Sequence, residues 1–518
     1  MPSDLPAANT NPSAVWRPWI APMDRGAWSI RRLALPVLLL AALALRVGSV
    51  WSQLYVVFSD ETFQYFEQGH RLAFGSGVLP WEFQDGIRSW LLPGLLAGLM
   101  RLAATLSDDP LLYIRATRIL CVAVSLVVVF VAFRAGQRRE GMAGALLAGG
   151  FCALWFDLVY FAPAVLTEVL AAHAGLLALW LGDEPERITP RRLLAAGACL
   201  GLACCLRYQY GPALLGAALV QFGMRRAHWA WLALGAAAVA LPVGGVLDAL
   251  TWGTPFQSVW LNVLRNSVQG VSSGLGTEPV SFYPAYLSIA LWPAPLLVPL
   301  AVLGATRAPA FGVAAAAVLG LHMLVPHKEV RFVYLALAIA PILIGLGAAR
   351  LLRILRTHDG AGGAVMVLLV LGAIVSWHNA TTWPLSQRWQ VRRANVQAFL
   401  AAHELPGLCG LGVKDMPVFN SGGYAYLHRD VPVYFQQLTP SLTLPGVAVP
   451  LRTAVMLRGQ TVAQSAEPAL SDAVARYNAL IARADDAAPG FAPLRCFDDS
   501  TRDGQPPLCL FVRFGSCE

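Results

Sequence analysis

Apolar runs, several of them long enough for a membrane-crossing helix, recur through the first three-quarters of the chain, broken by short arginine-bearing turns. The runs cover residues 33–58, 111–133, 142–160, 165–181, 193–206, 212–224, 229–247, 287–305, 311–325, 333–349 and 364–377. Arg31 and Arg32 precede the first run, and the run lacks the small-residue cleavage site of a signal peptide. It reads as a first span with the N-terminus inside. Arg134, Arg138 and Arg139, then Arg187, Arg191 and Arg192, then Arg225 and Arg226, Arg307, and Arg350, Arg353 and Arg356 mark the cytoplasmic turns. Residues 87–106 are apolar as well but carry Pro93 and Arg101. With residue 60 outside and Arg134 inside, this segment cannot cross together with 111–133, so it is laid along the outer surface. About eleven spans result, and an odd number puts the C-terminal part outside.

The flanking regions differ in character. Residues 1–29 are rich in Pro, Ala, Ser and Asn and are expected to form a disordered cytoplasmic tail. The spans occupy 30–379, with a first outer loop at 58–110. Beyond 380 the chain turns polar, with short runs such as LCGLGV, VPVYF and CLFVRF between Pro and Gly. Residues 396–403 and 469–484 read as helices, so 380–518 is expected to be a small α/β domain on the outer side. No internal repeat is present.

Composition sharpens this picture. Hydrophobic residues make up 57% of the chain and charged ones 13%, which identifies a polytopic α-helical membrane protein. The net charge of +8 sits in the turn clusters, so it argues for the positive-inside rule and not for nucleic acid. Lys328 and Lys414 are the lone lysines, which with abundant Ala, Leu and Gly points to a GC-rich bacterial genome.

Against so sparse a background, residues 60–90 concentrate chemistry: Asp60, Glu61, Glu67, His70, Arg71, Glu82, Asp85 and Arg88. If 58–74 is helical, Asp60, Gln64, Glu67 and Arg71 share one face, while Phe63, Phe66 and Leu72 lie on the bilayer surface. Gly75, Gly77 and Pro80 then turn the chain back. Other outward ends add Asp157, Glu168, Arg207, Asp248, His327, Lys328, Glu329 and Arg331. Charges at membrane depth mark polar pathways or active sites. Asp157 and Glu168 read as bundle polar residues, with Arg207 paired to Glu168.

The stretch SDETFQYFEQGHRLAFGSGVLPWEFQDGIRSW resembles the first luminal loop of the family-22 glycosyltransferases, the mannosyltransferases of GPI-anchor and N-glycan assembly. The matching positions are Asp60-Glu61, Phe63-Gln64, Gly75 and Gly77, Trp81-Glu82 and Arg88-Ser89; Pro80 departs where that family commonly has Thr. HKEVRF at 327–332 is a second match, the loop from Asp248 through Trp252, Asn262 and Asn266 a third, and MPVFNSGGYAYLH, ending at His428, a faint fourth. The resemblance implies the GT-C architecture, a catalytic Asp in the first outer loop, and a polyprenyl- or dolichyl-phosphate sugar as donor.

The residues fit that chemistry independently. Phosphate is a good leaving group, so the enzyme needs a base for the acceptor hydroxyl and cations for the departing phosphate. Asp60 is the expected base and Glu61 its neighbour that orients it or the acceptor. Arg88, Lys328 and Arg331 are phosphate candidates, the last two taken to share one helical end. Gln64, Glu67, His70, Trp81, Glu82, Asp248, His327 and Glu329 are candidates for substrate binding. Family analogy implies inversion at the anomeric carbon. No cofactor or metal is expected, and the partners are the bilayer, the lipid-phosphate sugar, and a glycan or glycolipid acceptor. Two alternatives stay open: a GT-C enzyme moving a pentose to lipid A or a polysaccharide, and a transporter or flippase of lipid-linked sugars.

Nine cysteines complete the reading. Cys121, Cys152, Cys199, Cys204 and Cys205 fall in spans as small apolar packers. Cys409, Cys496, Cys509 and Cys517 fall in the terminal domain, where four cysteines allow three connectivities. Cys496 and Cys509 flank a polar Asp- and Gly-rich turn and are the first choice for a hairpin-like bridge, leaving Cys409 and Cys517 for a second.

Overall fold

A computed structural model describes residues 25–52, 54, 58–183, 188–355, 361–414, 416–435, 454–456, 462–464, 474–498, 505–515 and 517. Of the expected N-terminal tail, residues 1–24 lie outside that set, and helix α1 (Arg25–Ser52) begins directly after them. The first loop comes next, with α2 (Glu67–Phe74), α3 (Trp81–Gln84) and α4 (Leu91–Ala104). α4 is too short to cross a membrane alone. It packs on α2, where Gly69 lets the two backbones meet: a Cβ there would lie 2.8 Å from the Leu96 Cβ.

Helix α5 (Pro110–Leu154) is two antiparallel legs, not one rod. The backbone leaves helical geometry at Glu140 (φ −129°, ψ 19°) and at Gly141, whose φ of 64° suits glycine. A Cβ on Gly136 would lie 2.2 Å from the Gly144 carbonyl oxygen, so the legs touch right at the turn. The expected spans 111–133 and 142–160 are these legs, the second continued by α6 (Phe156–Phe161).

The remaining runs form helices in the expected order. They are α7 (Thr167–Leu181), α8 (Pro190–Leu206), α9 (Gly211–Phe222), and α10 (Arg226–Ala240), which continues through a π-helical turn into α11 (Leu247–Trp252). α12 (Gln257–Asn262) lies in the long loop beyond it. α13 (Phe282–Ala290) and α14 (Ala294–Ala305) form one apolar pair bent by 101°. α15 (Pro309–Met323), α16 (Tyr334–Ile354) and α17 (Ala361–Thr381) complete the bundle. Among the described residues five helices are able, by length and composition, to cross a membrane, six if the bent pair is one span, while α7 and α15 are apolar but shorter.

The helical connections gather the charges at two ends. At one, Arg138 and Arg139 pair with Asp183 at 3.3 and 2.5 Å, and Glu140 pairs with Arg307 at 2.8 Å and Arg353 at 2.9 Å. These are the arginine turns marked in the sequence, brought together as alternating helix directions require. The opposite end carries Asp60, Glu168, Arg207 and Arg331.

Among the described residues the C-terminal region adds α18 (Arg393–His403), α19 (Gly423–Leu427) and a seven-stranded mixed sheet. Its strands are β1 (Leu411–Val413), β2 (Val433–Phe435), β3 (Ala454–Met456), β4 (Val462–Gln464), β5 (Ala479–Arg483), β6 (Ala492–Phe497) and β7 (Leu508–Val512), in the order β4-β3-β2-β1-β5-β7-β6. β1 runs parallel to β2 and β5, and the other pairs are antiparallel. The helix expected at 469–484 is not formed: 474–476 is a 3₁₀ turn and 479–483 is the buried strand β5. Pairing with β1 and β7 overrides the helical propensity of an Ala-rich segment. Residues 469–473 lie outside the described set. Cys496 bridges Cys509 between adjacent strands, and Cys409 bridges Cys517.

Candidate active site

The first loop does not keep the single charged face that a plain α-helix gives it. Residues 61–66 form a π-helical turn ahead of α2, and the extra residue per turn rotates α2 relative to Asp60. Asp60 and Gln64 are left on the side of a cavity, while Glu67 and His70 point into the C-terminal region. Phe63 and Phe66 are buried in protein, not laid on a bilayer, and of the three apolar residues expected there Leu72 is the exposed one. Gly75, at φ 86°, ends α2, and Pro80 starts α3, which returns Glu82 to Gln64; Gln64 Nε2 donates to Glu82 Oε1 at 2.9 Å.

The second wall comes from the segment leading into α16. Glu329 is extended and 330–333 is a 3₁₀ turn, so Lys328 and Arg331 do not share a helical face as the sequence suggested. Arg331 is buried between the rings of Phe58 and Phe332, each 5.2 Å from its guanidinium carbon. It donates to Asp60 Oδ2 at 2.6 Å and to both Glu329 carboxylate oxygens at 2.8 Å. Glu168 lies behind, 3.1 Å from Arg207 and 3.5 Å from Arg331. The two arginines are thus held toward the same space by one buried carboxylate. Among the described residues no hydrogen bond engages Asp60 Oδ1.

These groups frame a cavity of about 400 Å³. Asp60, Trp81, Glu82, Arg88, Arg207, His327, Glu329 and Arg331 line it, with Tyr208, Gln209, Asn262 and Asn266 opposite. Burial pushes the Glu82 carboxyl up, and the neighbouring Asp60 charge adds to the effect. Burial also works against the Glu329 charge, but Arg331 and His327 outweigh it and hold that carboxyl well below the usual range. Glu329 in turn raises His327. A second, smaller pocket of about 160 Å³ shares Asp60, Trp81 and Glu82 with the first and adds Gln64 and Phe419.

Five sequence candidates lie elsewhere. Glu61 accepts from the Val165 amide at 3.1 Å and faces Arg118 at 3.6 Å. Glu67 accepts from the amides of Val78, Tyr424 and Ala425 at 2.9, 3.0 and 2.9 Å. His70 is held between the Ser76 carbonyl at 2.6 Å and His428 Nδ1 at 2.9 Å. Asp248 accepts from the Ser258 amide and hydroxyl. Lys328 donates to the Glu278 carbonyl at 2.7 Å and does not line the large cavity, although both its neighbours do. Conversely, Arg207 joins the cavity while pairing with Glu168 as expected, and Phe419 enters from the faint C-terminal motif. Among the described residues no group of three or more His, Cys, Asp or Glu is arranged to hold a metal ion.

Residues 37–395 match the Alg9-like mannosyltransferase family. GPI mannosyltransferase 3 of Yarrowia lipolytica is 28% identical over 400 residues, covering 74% of this chain and 73% of that protein. The Drosophila melanogaster GPI mannosyltransferase 3 is 33% identical over 157 residues, 29% of this chain and 27% of its own length. Mannosyltransferase APTG1 of Arabidopsis thaliana is 24% identical over 431 residues, again 74% and 73%. The fold is that of ArnT from Cupriavidus metallidurans. The form bound to undecaprenyl phosphate superimposes with a TM-score of 0.55 at 13% identity over 94% of this chain and 98% of that one. The apo form gives 0.57 at 14% over the same shares. The chain belongs to the Alg9-like mannosyltransferase family and is an integral membrane glycosyltransferase of the GT-C fold.

Proposed function

We propose that this enzyme transfers a sugar, mannose in the first instance, from a polyprenyl- or dolichyl-phosphate donor to a hydroxyl of a glycan or glycolipid on the outer face of the membrane. The single observation that carries this reading is a cavity in which Asp60, a carboxylate with one oxygen unengaged among the described residues, faces three buried or half-buried arginines, Arg88, Arg207 and Arg331. Asp60 takes the proton of the acceptor hydroxyl. The acceptor oxygen forms its bond to the anomeric carbon while the carbon–oxygen bond to phosphate breaks, and the phosphate leaves with that electron pair. Arg88, Arg207 and Arg331 stabilise the charge that develops on it. Arg331 also fixes Asp60 through its 2.6 Å contact. One displacement of this kind inverts the anomeric centre, and no metal or cofactor has a step in it.

The relatives' names support mannose, and the lipid phosphate bound by the structural neighbour is a ligand of the kind the arginines suit. The test is transfer by the purified protein in lipid nanodiscs, supplied with a synthetic polyprenyl-phosphate mannose and a methyl mannoside acceptor, with products read by mass spectrometry. A disaccharide formed from the lipid donor and absent with GDP-mannose supports the reading. Transfer from GDP-mannose alone rejects it.

A further inference from the structure

We infer that the smaller pocket beside Asp60 is a subsite for one uncharged sugar ring of the acceptor, and that Phe419 of the C-terminal domain is a specificity-determining wall of it. This rests on the reading of Asp60 as the base. The pocket encloses about 160 Å³, several times the roughly 30 Å³ share of one water molecule. Its lining is the usual mixture of a ligand site, aromatic surface with a few placed polar groups. Phe63 and Phe419 meet edge to face at 5.0 Å, and Trp81 adds a third ring. Such rings pack against the C–H faces of a pyranose, which present apolar surface.

The polar groups point to a hydroxyl-bearing, uncharged ligand. Gln64 is 2% exposed and spends its amide nitrogen on Glu82. Its Oε1 is buried with no hydrogen-bond partner among the described residues, an acceptor that a hydroxyl would satisfy. Asp60 and Glu82 line the same wall, while among the described residues no arginine or lysine does. Phosphate is repelled there and attracted in the larger cavity, where the three arginines lie. Because Asp60 borders both spaces, a ring in the small pocket presents a hydroxyl to the base while a donor occupies the other.

Phe419 reaches this place because the C-terminal domain is latched to the first loop. Glu67 receives the Tyr424 and Ala425 amides, and Gly423 at φ 62° leaves no Cβ to meet the carboxylate, which would otherwise lie 2.7 Å away. The Tyr113 hydroxyl donates to the Ala425 carbonyl, and His428 contacts His70. A wall delivered by a separate domain sets which sugar fits without altering Asp60 or the arginines.

Saturation-transfer NMR on the protein in nanodiscs, with methyl α-mannoside as probe and mannose 6-phosphate as competitor, tests this. The expected result is binding of the neutral glycoside, at least tenfold weaker in both Phe419→Ala and Gln64→Leu, restored to within threefold in Phe419→Trp, and not displaced by mannose 6-phosphate. An unchanged Kd in Phe419→Ala, or equal competition by the phosphate, overturns the subsite. If glycoside binding depends on Phe419 but no sugar moves from the lipid donor, the proposed reaction fails and the subsite stands. If sugar moves while Phe419→Ala binds as tightly as the parent protein, the subsite fails and the reaction stands.

Discussion

Asp60 and Glu67 lie seven residues apart in one helical stretch, and the sequence placed them on one face. Glu67 is fully buried, and three backbone amides donate to its two oxygens. Asp60 is partly accessible, has a guanidinium on one oxygen and, among the described residues, no hydrogen bond on the other. A carboxyl group held by three amides outside the cavity that Asp60 borders is a structural fastener. One that borders the cavity can reach a bound hydroxyl and take its proton. The π-helical turn between them is what gives two similar residues opposite tasks.

The sharpest way to break this contrast is Asp60→Asn, which keeps shape and removes basicity. Transfer should fall by about 10²- to 10⁴-fold while the unfolding temperature stays close to that of the parent protein. Near-normal transfer would move the base elsewhere. Arg331→Met is expected next, at about 10²- to 10³-fold, because one preorganised cation leaves the phosphate and Asp60 loses its anchor. A steady-state rate with the lipid donor checks it.

Glu67→Gln should act on folding instead. It puts an NH₂ among three amide donors and costs on the order of 2 kcal/mol, read as a lower unfolding temperature. Its pH dependence has a definite sign. Burial, opposed by those amides, pushes the Glu67 carboxyl from 4.5 up to about 7. The folded state therefore holds that proton more tightly than the unfolded chain, and this contribution to stability, full below pH 4.5, is lost as pH rises through about 7. Burial lowers His70 from 6.5 to about 3, so its contribution is present above pH 6.5 and is lost as pH falls toward 3. The two slopes oppose each other between pH 4.5 and 6.5. In Glu67→Gln only the histidine slope remains, and unfolding temperature should climb with pH more steeply than in the parent protein; identical slopes would remove Glu67 from the latch's titration. The smallest effect is expected from Lys328→Met, since its ammonium is held by the Glu278 carbonyl and does not line the cavity. Transfer should drop less than about tenfold, well short of a lost phosphate cation.

How much the chain disclosed in advance depends on the range of each interaction. The helix order was legible because burial in lipid demands long apolar runs, and the hairpin at Gly141 was marked by Arg134, Arg138 and Arg139. The cavity residues Asp60, Trp81, Glu82, Arg88 and Arg331 were legible because charge and aromatic residues are rare elsewhere in these segments. Glu67 and His70 were misplaced for two reasons: a π turn leaves no periodic signal, and the partners Tyr424, Ala425 and His428 stand more than 350 positions away. Phe419 was hidden by the same separation. β5 was read as helix because its strand character comes from neighbours β1 and β7, not from its own residues.

The central claim is a single displacement with Asp60 as base, and the anomeric configuration of the product tests it most directly. Asp60 and Glu82 border the same space, so one of them acting as a nucleophile would give two displacements and net retention. With a synthetic β-configured polyprenyl-phosphate mannose, NMR of the purified product should show an α-linked mannose. A β-linked product would contradict the account and turn Asp60 or Glu82 from base into nucleophile.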